Sequence, residues 1–428
     1  MLFRAMKLPL RYVRALGFVL GLATLSVTAA AVAADAPLKI DRERLGRLDT
    51  VVDDYVKRDQ VAGVVMYVAR NGRVEHLKAY GAADKEAGKP METDAIFRLA
   101  SMSKAVTTVA ALMLYEEGKF MLNDKVSKYI PEFANPVVAV PPPADAPPGT
   151  KYVTVPAKRE ITIRDLMRHT AGLGYGDANQ LVHETYKAAK VQGWYFADKD
   201  EPVGDAIKRL GKLPLVSQPG EAFVYGFGTD VLGYLVEVVS GQPLDQFFAE
   251  RIFKPLNMPD TSFFLPKDKI DRLTVVYSME KGKLVRKDSE QGHYVDGPRK
   301  CFSGGAGLLS TAKDYGRFLQ MLLNEGELDG ARLLSPKTVR LMSENHTGEL
   351  FKGGTSAFGL GFWVNNDSGF HGELNSEGAY GWGSAYFPQY FVDPEEQMIG
   401  ILLTQLRPAG SVDLNQKFKT LIYQSLVK

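Results

Sequence analysis

Strand-forming runs sit at the two ends of this chain, and few lie between them. Near the start, residues 61–70 and 74–80 flank Asn71-Gly72. That dipeptide tolerates the left-handed backbone of a tight hairpin turn, so the pair reads as a β-hairpin. It follows a helix-period segment at 41–58, with Leu45, Leu48, Val52 and Tyr55. Near the end, 358–364, 386–392 and 398–404 read as strands, with a turn at Asp393-Pro394, and 412–427 as a closing amphipathic helix. Between them, apolar residues recur at helical spacing near 161–168, 203–210, 229–240, 244–252, 312–324 and 335–343. A short hairpin near 274–287 interrupts these helices. Three or four strands alone make a poor sheet core. The two ends are therefore expected to share one antiparallel sheet, giving an α+β fold with an inserted helical lobe. The expected lobes are 35–117 with 350–428, and 118–349, the second carrying a Pro-rich irregular excursion or flap near 136–156.

The first 34 residues are set apart as a leader. Arg4, Lys7, Arg11 and Arg14 precede an apolar run from Leu16 to Val32, and Ala31-Val32-Ala33 fits a small-x-small cleavage site. Export to a bacterial periplasm is the expectation. The chain has 52 basic and 50 acidic residues, four of the basic ones in the leader. No basic stripe points to nucleic acid, and no later apolar run is long enough to span a bilayer. Cys301 is the one cysteine, so no internal disulfide forms, and it reads as a small buried apolar residue. The six histidines show no H-E-x-x-H and no paired spacing, so neither a metal nor another cofactor is expected. His169 reads as a structural loop residue, and Gly304-Gly305 as a tight turn rather than a phosphate loop, because no Gly-Lys-Ser/Thr follows.

Ser101-Met102-Ser103-Lys104 carries the chemistry. Serine attacks poorly until a neighbour takes its proton, and a lysine three residues on lies on the same helix face. The S-x-x-K spacing also occurs at Ser278, Ser310 and Ser425. The first sits in a hairpin, the second beside a helix cap formed by Thr311 and Asp314, and the third at the chain end. Only Ser101 opens a buried-looking helix, with Val106, Val109, Ala110, Met113 and Leu114 on one stripe and Gly118 as its stop. On these residues alone, Ser101 is either a helix cap or a nucleophile. No Gly-x-Ser-x-Gly elbow competes with it.

Several segments together resemble the serine β-lactamase and penicillin-binding superfamily. They are 97–104, 161–172, Pro219-Gly220-Glu221, 225–241 and 304–311, in the expected order over nearly the whole chain after the leader. Within it, the chain is most similar to class C-type β-lactamases and family VIII carboxylesterases. The resemblance implies an α/β sandwich plus an all-helical lobe, with the active site in the cleft between them. Carried over by motif, it makes Ser101 the nucleophile and Lys104 its partner. The family's Tyr-x-Asn is here Tyr225-Gly226-Phe227, and its Lys-Thr-Gly best matches Trp382-Gly383-Ser384, with His371-Gly372 as the competing alignment. The oxyanion is expected between the backbone N–H groups of Ser101 and Ala385. Tyr225 is expected to share the proton with Ser101 and Lys104; which of Lys104 and Tyr225 is the formal base stays open.

The departures bear on substrate. Phe227 replaces an amide and Trp382 a cation, and both are expected to line the substrate cleft. Such a cleft suits a small neutral ester better than an anionic lactam. The expected activity is thus a cofactor-free carboxylesterase acting on a small-molecule ester. The alternatives are a β-lactamase, D-amino peptidase or amide hydrolase, or a non-catalytic cell-wall or penicillin-sensing protein.

Overall fold

Eight strands, drawn from both ends of the sequence, make one antiparallel sheet in the computed structural model, which describes residues 38–194, 196–352 and 356–428. The leader reading falls outside these residues. In chain order the strands are β1 (Gly63–Arg70), β2 (Arg73–Asp84), β3 (Lys89–Pro90), β4 (Ala357–Phe358), β5 (Trp363–Val364), β6 (Tyr380–Gly383), β7 (Gln389–Asp393) and β8 (Met398–Leu403). Their spatial order is β4-β5-β6-β7-β8-β1-β2-β3. The last strand therefore pairs with the first, joining the two chain ends, and Val65 lies opposite Leu403. Asn71 and Gly72 both take positive φ, +50° and +72°, as the β1–β2 turn requires.

The sheet is covered on both faces, which explains why β1 and β8 are continuously apolar. Successive side chains point to opposite faces. Val64, Met66, Val68 and Leu402 meet helix α1 (Arg47–Lys57) and the closing helix (Leu414–Tyr423) through Leu48, Val52, Phe418 and Ile422. Val65, Tyr67, Ile399 and Ile401 join the larger core that holds Tyr315 and Phe318 of the helix Ala312–Leu323. Each fully buried Val or Leu contributes about 1.5–3 kcal/mol.

Helix α2 (Ser103–Glu116) is the centre of that larger core. The sequence shows one apolar stripe, but every residue from Ser103 to Leu114 is buried. The helix has packed neighbours on all sides, including α4 (Gly228–Ser240), and its small residues Ala105, Ala110 and Ala111 let them approach. It ends where Gly118 turns to φ +71° and Lys119 N–H returns to Leu114 O.

Two sequence expectations are corrected. The Pro-rich excursion is a two-stranded ribbon at its base: Val137–Val140 pairs with Val153–Pro156, and Ala139 N–H bonds Leu215 O. The β-branched residues flanking the prolines supply the ladder. The segment 358–364 is two short strands, because Gly361 at φ +94° breaks the run between β4 and β5.

Candidate active site

Ser101 lies in a 3-10 turn, Ala100–Met102, that leads directly into α2. Ala100 adopts φ +40° while fully buried. That left-handed backbone costs a non-glycine residue on the order of 1 kcal/mol. The turn is clamped against relaxing. Leu99 N–H bonds Leu308 O, Leu308 N–H bonds Ser103 Oγ at 3.0 Å, and the Tyr315 hydroxyl donates to Met102 O at 2.9 Å. The second serine of the motif is thus structural, and Ser101 alone is partly exposed.

Lys104 is fully buried, one turn on. Its Nζ is hydrogen-bonded to Ser101 Oγ (3.3 Å), Tyr175 Oη (3.2 Å) and Gly305 O (2.7 Å), and sits 4.7 Å from the centre of the Tyr225 ring. The amine thus donates to a carbonyl, a phenol oxygen and the Ser101 hydroxyl oxygen, and of these three partners only Ser101 is partly exposed.

Tyr175 went unnoticed in the sequence. It lies three residues past Gly172 in a glycine-rich loop, an aromatic signal that no motif marks. The loop is held by a buried carboxylate at the helix α3 (Ile163–Met167), whose N-cap Thr162 forms a capping box with Asp165. Burial alone would raise the Asp165 carboxyl. Bonds from Arg159, Thr162 and Arg168 outweigh it and hold the group well below its ordinary range. The Thr170 hydroxyl also donates to it. His169 follows at φ +57°, 1% exposed, with its ring 4.6 Å from that of Tyr225. Burial, and then the charge of Lys104, hold its imidazole well below the ordinary range, so it stays neutral. It has no proton-transfer geometry, in keeping with a structural part.

The Tyr175 and Tyr225 loops meet through glycines. A Cβ on Gly226 would lie 2.0 Å from Leu173 O and 2.7 Å from Gly174 Cα, so only glycine allows this approach. The two phenols then differ. Tyr175 is 8% exposed, and burial, with Tyr225 and Asp230 nearby, pushes its hydroxyl well above its ordinary range. Tyr225 is only half-buried, and its hydroxyl accepts from Trp382 Nε1 at 3.0 Å. Tyr225 meets Lys104 through its ring, and the phenol oxygen bonded to Nζ is that of Tyr175.

Phe227 is also corrected. It is fully buried, stacked on Phe196 at 5.5 Å and edge-on to Tyr175 at 5.0 Å. An apolar ring two residues past Tyr225 gains more by joining this cluster than by facing water. It buttresses Tyr175 instead of lining the cleft.

The third motif falls on β6, which packs against the Ser101 turn. Trp382 is partly exposed, edge-on to Phe358 and 5.5 Å from Tyr225. Gly383, Ser384 and Ala385 follow, all partly exposed. Phe387 N–H bonds Ser384 O, closing a tight turn whose second residue is Ala385. Ala385 packs with Ala100, beside the nucleophile. Beyond it opens a cavity of about 240 Å³ lined by Trp194, Tyr386, Glu290 and Arg407. The Arg407 guanidinium lies 4.8 Å over the Trp194 ring and 3.5 Å from Glu290, so the cation there is balanced. A second cavity, of about 430 Å³, adjoins Tyr225, Phe223 and Val216.

The family model described as Beta-lactamase matches residues 48–423. The chain belongs to the beta-lactamase family. Its beta-lactamase-family relatives include the esterase EstB of Burkholderia gladioli, 30% identical over 85% of this chain and 91% of its own length. Another is the lovastatin esterase of Penicillium rubens, 27% identical over 88% and 98%. Among solved structures, EstCE1, described as a hydrolase with promiscuous acyltransferase activity, superposes with a TM-score of 0.75 at 27% identity, covering 89% of this chain and 99% of its own. Within the beta-lactamase family, this chain is a serine hydrolase with a mixed helical and antiparallel-sheet fold.

Proposed function

We propose that this protein is a carboxylesterase that forms an acyl-enzyme on Ser101 with small neutral esters. The observation that carries this is a partly exposed serine hydroxyl hydrogen-bonded to a fully buried lysine amine that Gly305 O and Tyr175 Oη also hold in place. Lys104 takes the Ser101 proton as Oγ attacks the ester carbonyl carbon. The N–H of Ser101, in the first turn of a helix where such groups lack intrahelical partners, and that of Ala385 face the oxyanion. Each such donor is worth about 100- to 1000-fold in rate. As the C–O bond breaks, Tyr225 gives its proton to the departing alkoxide and regains one from the Lys104 ammonium. Water then enters, gives its proton to Lys104 as it attacks the acyl carbon, and Lys104 returns that proton to Ser101 Oγ as the acid leaves.

Substrate preference follows from the walls. Trp382 offers an aromatic face and an N–H already given to Tyr225, and the neighbouring cation is balanced by Glu290. Neither supplies a free positive charge for a lactam carboxylate. The relatives that are esterases support the same preference. A panel of p-nitrophenyl butyrate, nitrocefin and a D-alanyl peptide tests it: the butyrate is expected to be turned over fastest, and faster nitrocefin turnover would reverse the assignment.

The two tyrosines are expected to separate. Tyr225→Phe removes the acid at the leaving group and lowers kcat by about 100- to 10,000-fold. Tyr175 is too buried to meet substrate. Tyr175→Phe removes one orienting bond to Nζ, worth roughly tenfold in kcat. Steady-state kinetics on both variants decides; a larger loss at Tyr175 would transfer the acid role to it.

A further inference from the structure

We propose that Asp230 is the buried counter-charge and positioning residue of Lys104, acting through the 303–306 turn. This rests on the acyl-enzyme reading above. Asp230 lies in the first turn of α4, five residues after Tyr225, and is 1% exposed. Its Oδ1 accepts from Ser303 Oγ at 2.5 Å and from Gly305 N–H at 3.1 Å. Ser303 Oγ in turn accepts from Ala306 N–H at 3.0 Å, and Gly305 O accepts from Lys104 Nζ at 2.7 Å. The peptide group between Gly305 and Ala306 thus holds the amine at its C=O end and, at its N–H end, the Ser303 hydroxyl that bonds the carboxylate. Hydrogen bonds in such a chain polarise and strengthen one another.

The turn is built for this contact. A Cβ on Gly305 would lie 2.4 Å from Asp230 Oδ2, and one on Gly304 would lie 2.7 Å from Thr229 O. The Thr107 hydroxyl donates to Gly304 O at 2.7 Å, tying the turn to α2 one helical turn past Lys104. Asp230 Oδ2 is buried with no hydrogen-bond partner. A bare carboxylate oxygen in the core is costly, and a purely structural role does not repay it. A nearby ammonium does, and one forms on Lys104 each time Ser101 gives up its proton.

The other groups facing this pair leave the charge to Asp230. Around Lys104 stand the phenol of Tyr175, the ring of Tyr225 and the imidazole of His169. Tyr175 and His169 are kept neutral by burial. The Cys301 thiol beside Asp230 is likewise pushed up by burial. Asp177, which acts on Tyr175, is exposed and screened by water. Burial holds the Asp230 carboxyl above its ordinary range, and the charge of Lys104 and the bonds from Ser303 and Gly305 offset part of that rise.

The test is Asp230→Asn in the full chain, with kcat/KM for p-nitrophenyl butyrate followed against pH. Asparagine keeps the shape and the acceptor but removes the charge. Without the anion the ammonium is less favoured, so the lysine gives up its proton at lower pH. The acid limb is expected to move down by about one to three units, and the plateau kcat to fall roughly tenfold as the base weakens. Ser303→Ala keeps the charge and breaks the chain, so kcat should fall with the limb unmoved. A wild-type limb in Asp230→Asn overturns the proposal. Should that variant not fold, wild-type kcat in Ser303→Ala overturns it instead. Intact mass of the unaltered protein after brief exposure to the ester separates the two readings. With no acyl adduct on Ser101, the esterase reading fails and takes this inference with it; with an adduct and an unmoved limb, the inference fails alone.

Discussion

Ser101→Ala is expected to abolish ester cleavage, with kcat falling on the order of 1,000,000-fold, as when a serine nucleophile is removed. No neighbouring hydroxyl can take over. Ser103 is fully buried and already accepts from Leu308 N–H, and Ser310 is buried against Thr261. The fold should not notice the change. Ser101 is partly exposed, and Lys104 keeps its bonds to Gly305 O and Tyr175 Oη. Stability should therefore stay within about 0.5 kcal/mol of the unaltered protein. Intact mass after brief contact with p-nitrophenyl butyrate should show an acyl adduct on the unaltered protein and none on the variant. An adduct that persists in Ser101→Ala would place the nucleophile elsewhere.

Lys104→Met should be almost as damaging, costing on the order of 1,000- to 100,000-fold in kcat, because a nucleophile and its base work as a unit. For the same reason the double variant with Ser101→Ala should be no slower than the worse single one. The structural consequence has two opposed parts. Methionine leaves the Gly305 carbonyl and the Tyr175 hydroxyl without their partner, at about 1–3 kcal/mol for a buried group. It also removes an amine from a fully buried site, which is favourable. The sum is expected to be small, and calorimetric unfolding reads it. Turnover within tenfold of normal would remove Lys104 as the base and leave Tyr225, whose ring lies against Nζ, as the candidate.

Much of the architecture is written locally. Asn71-Gly72 makes a hairpin because both residues accept positive φ, and Thr311 caps its helix by accepting from Asp314 N–H, whatever lies around them. The pairing of β8 with β1 follows from two fully buried, largely apolar strands that must both be covered. The 358–364 run and the Pro-rich segment were misread where one glycine or a distant strand partner overrode local pattern.

The site divides in the same way. Ser101 and Lys104 are three residues apart, so helix geometry alone brings their side chains together, and the amino-acid order was enough to pair them. Tyr175 and Gly305 reach the same amine from separate stretches of chain, and Asp230 reaches Gly305 from a third. Their meeting depends on close approaches that Gly226 and Gly305 permit, to backbone in the first case and to the Asp230 carboxylate in the second, and no local period records such contacts. Phe227 follows the same logic in reverse: motif position put it in the cleft, while packing against Phe196 and Tyr175 drew it into the core. The reacting pair was therefore legible from spacing along one helix, whereas the groups that orient it were chosen by long-range packing, because burial and close approach belong to the folded chain as a whole.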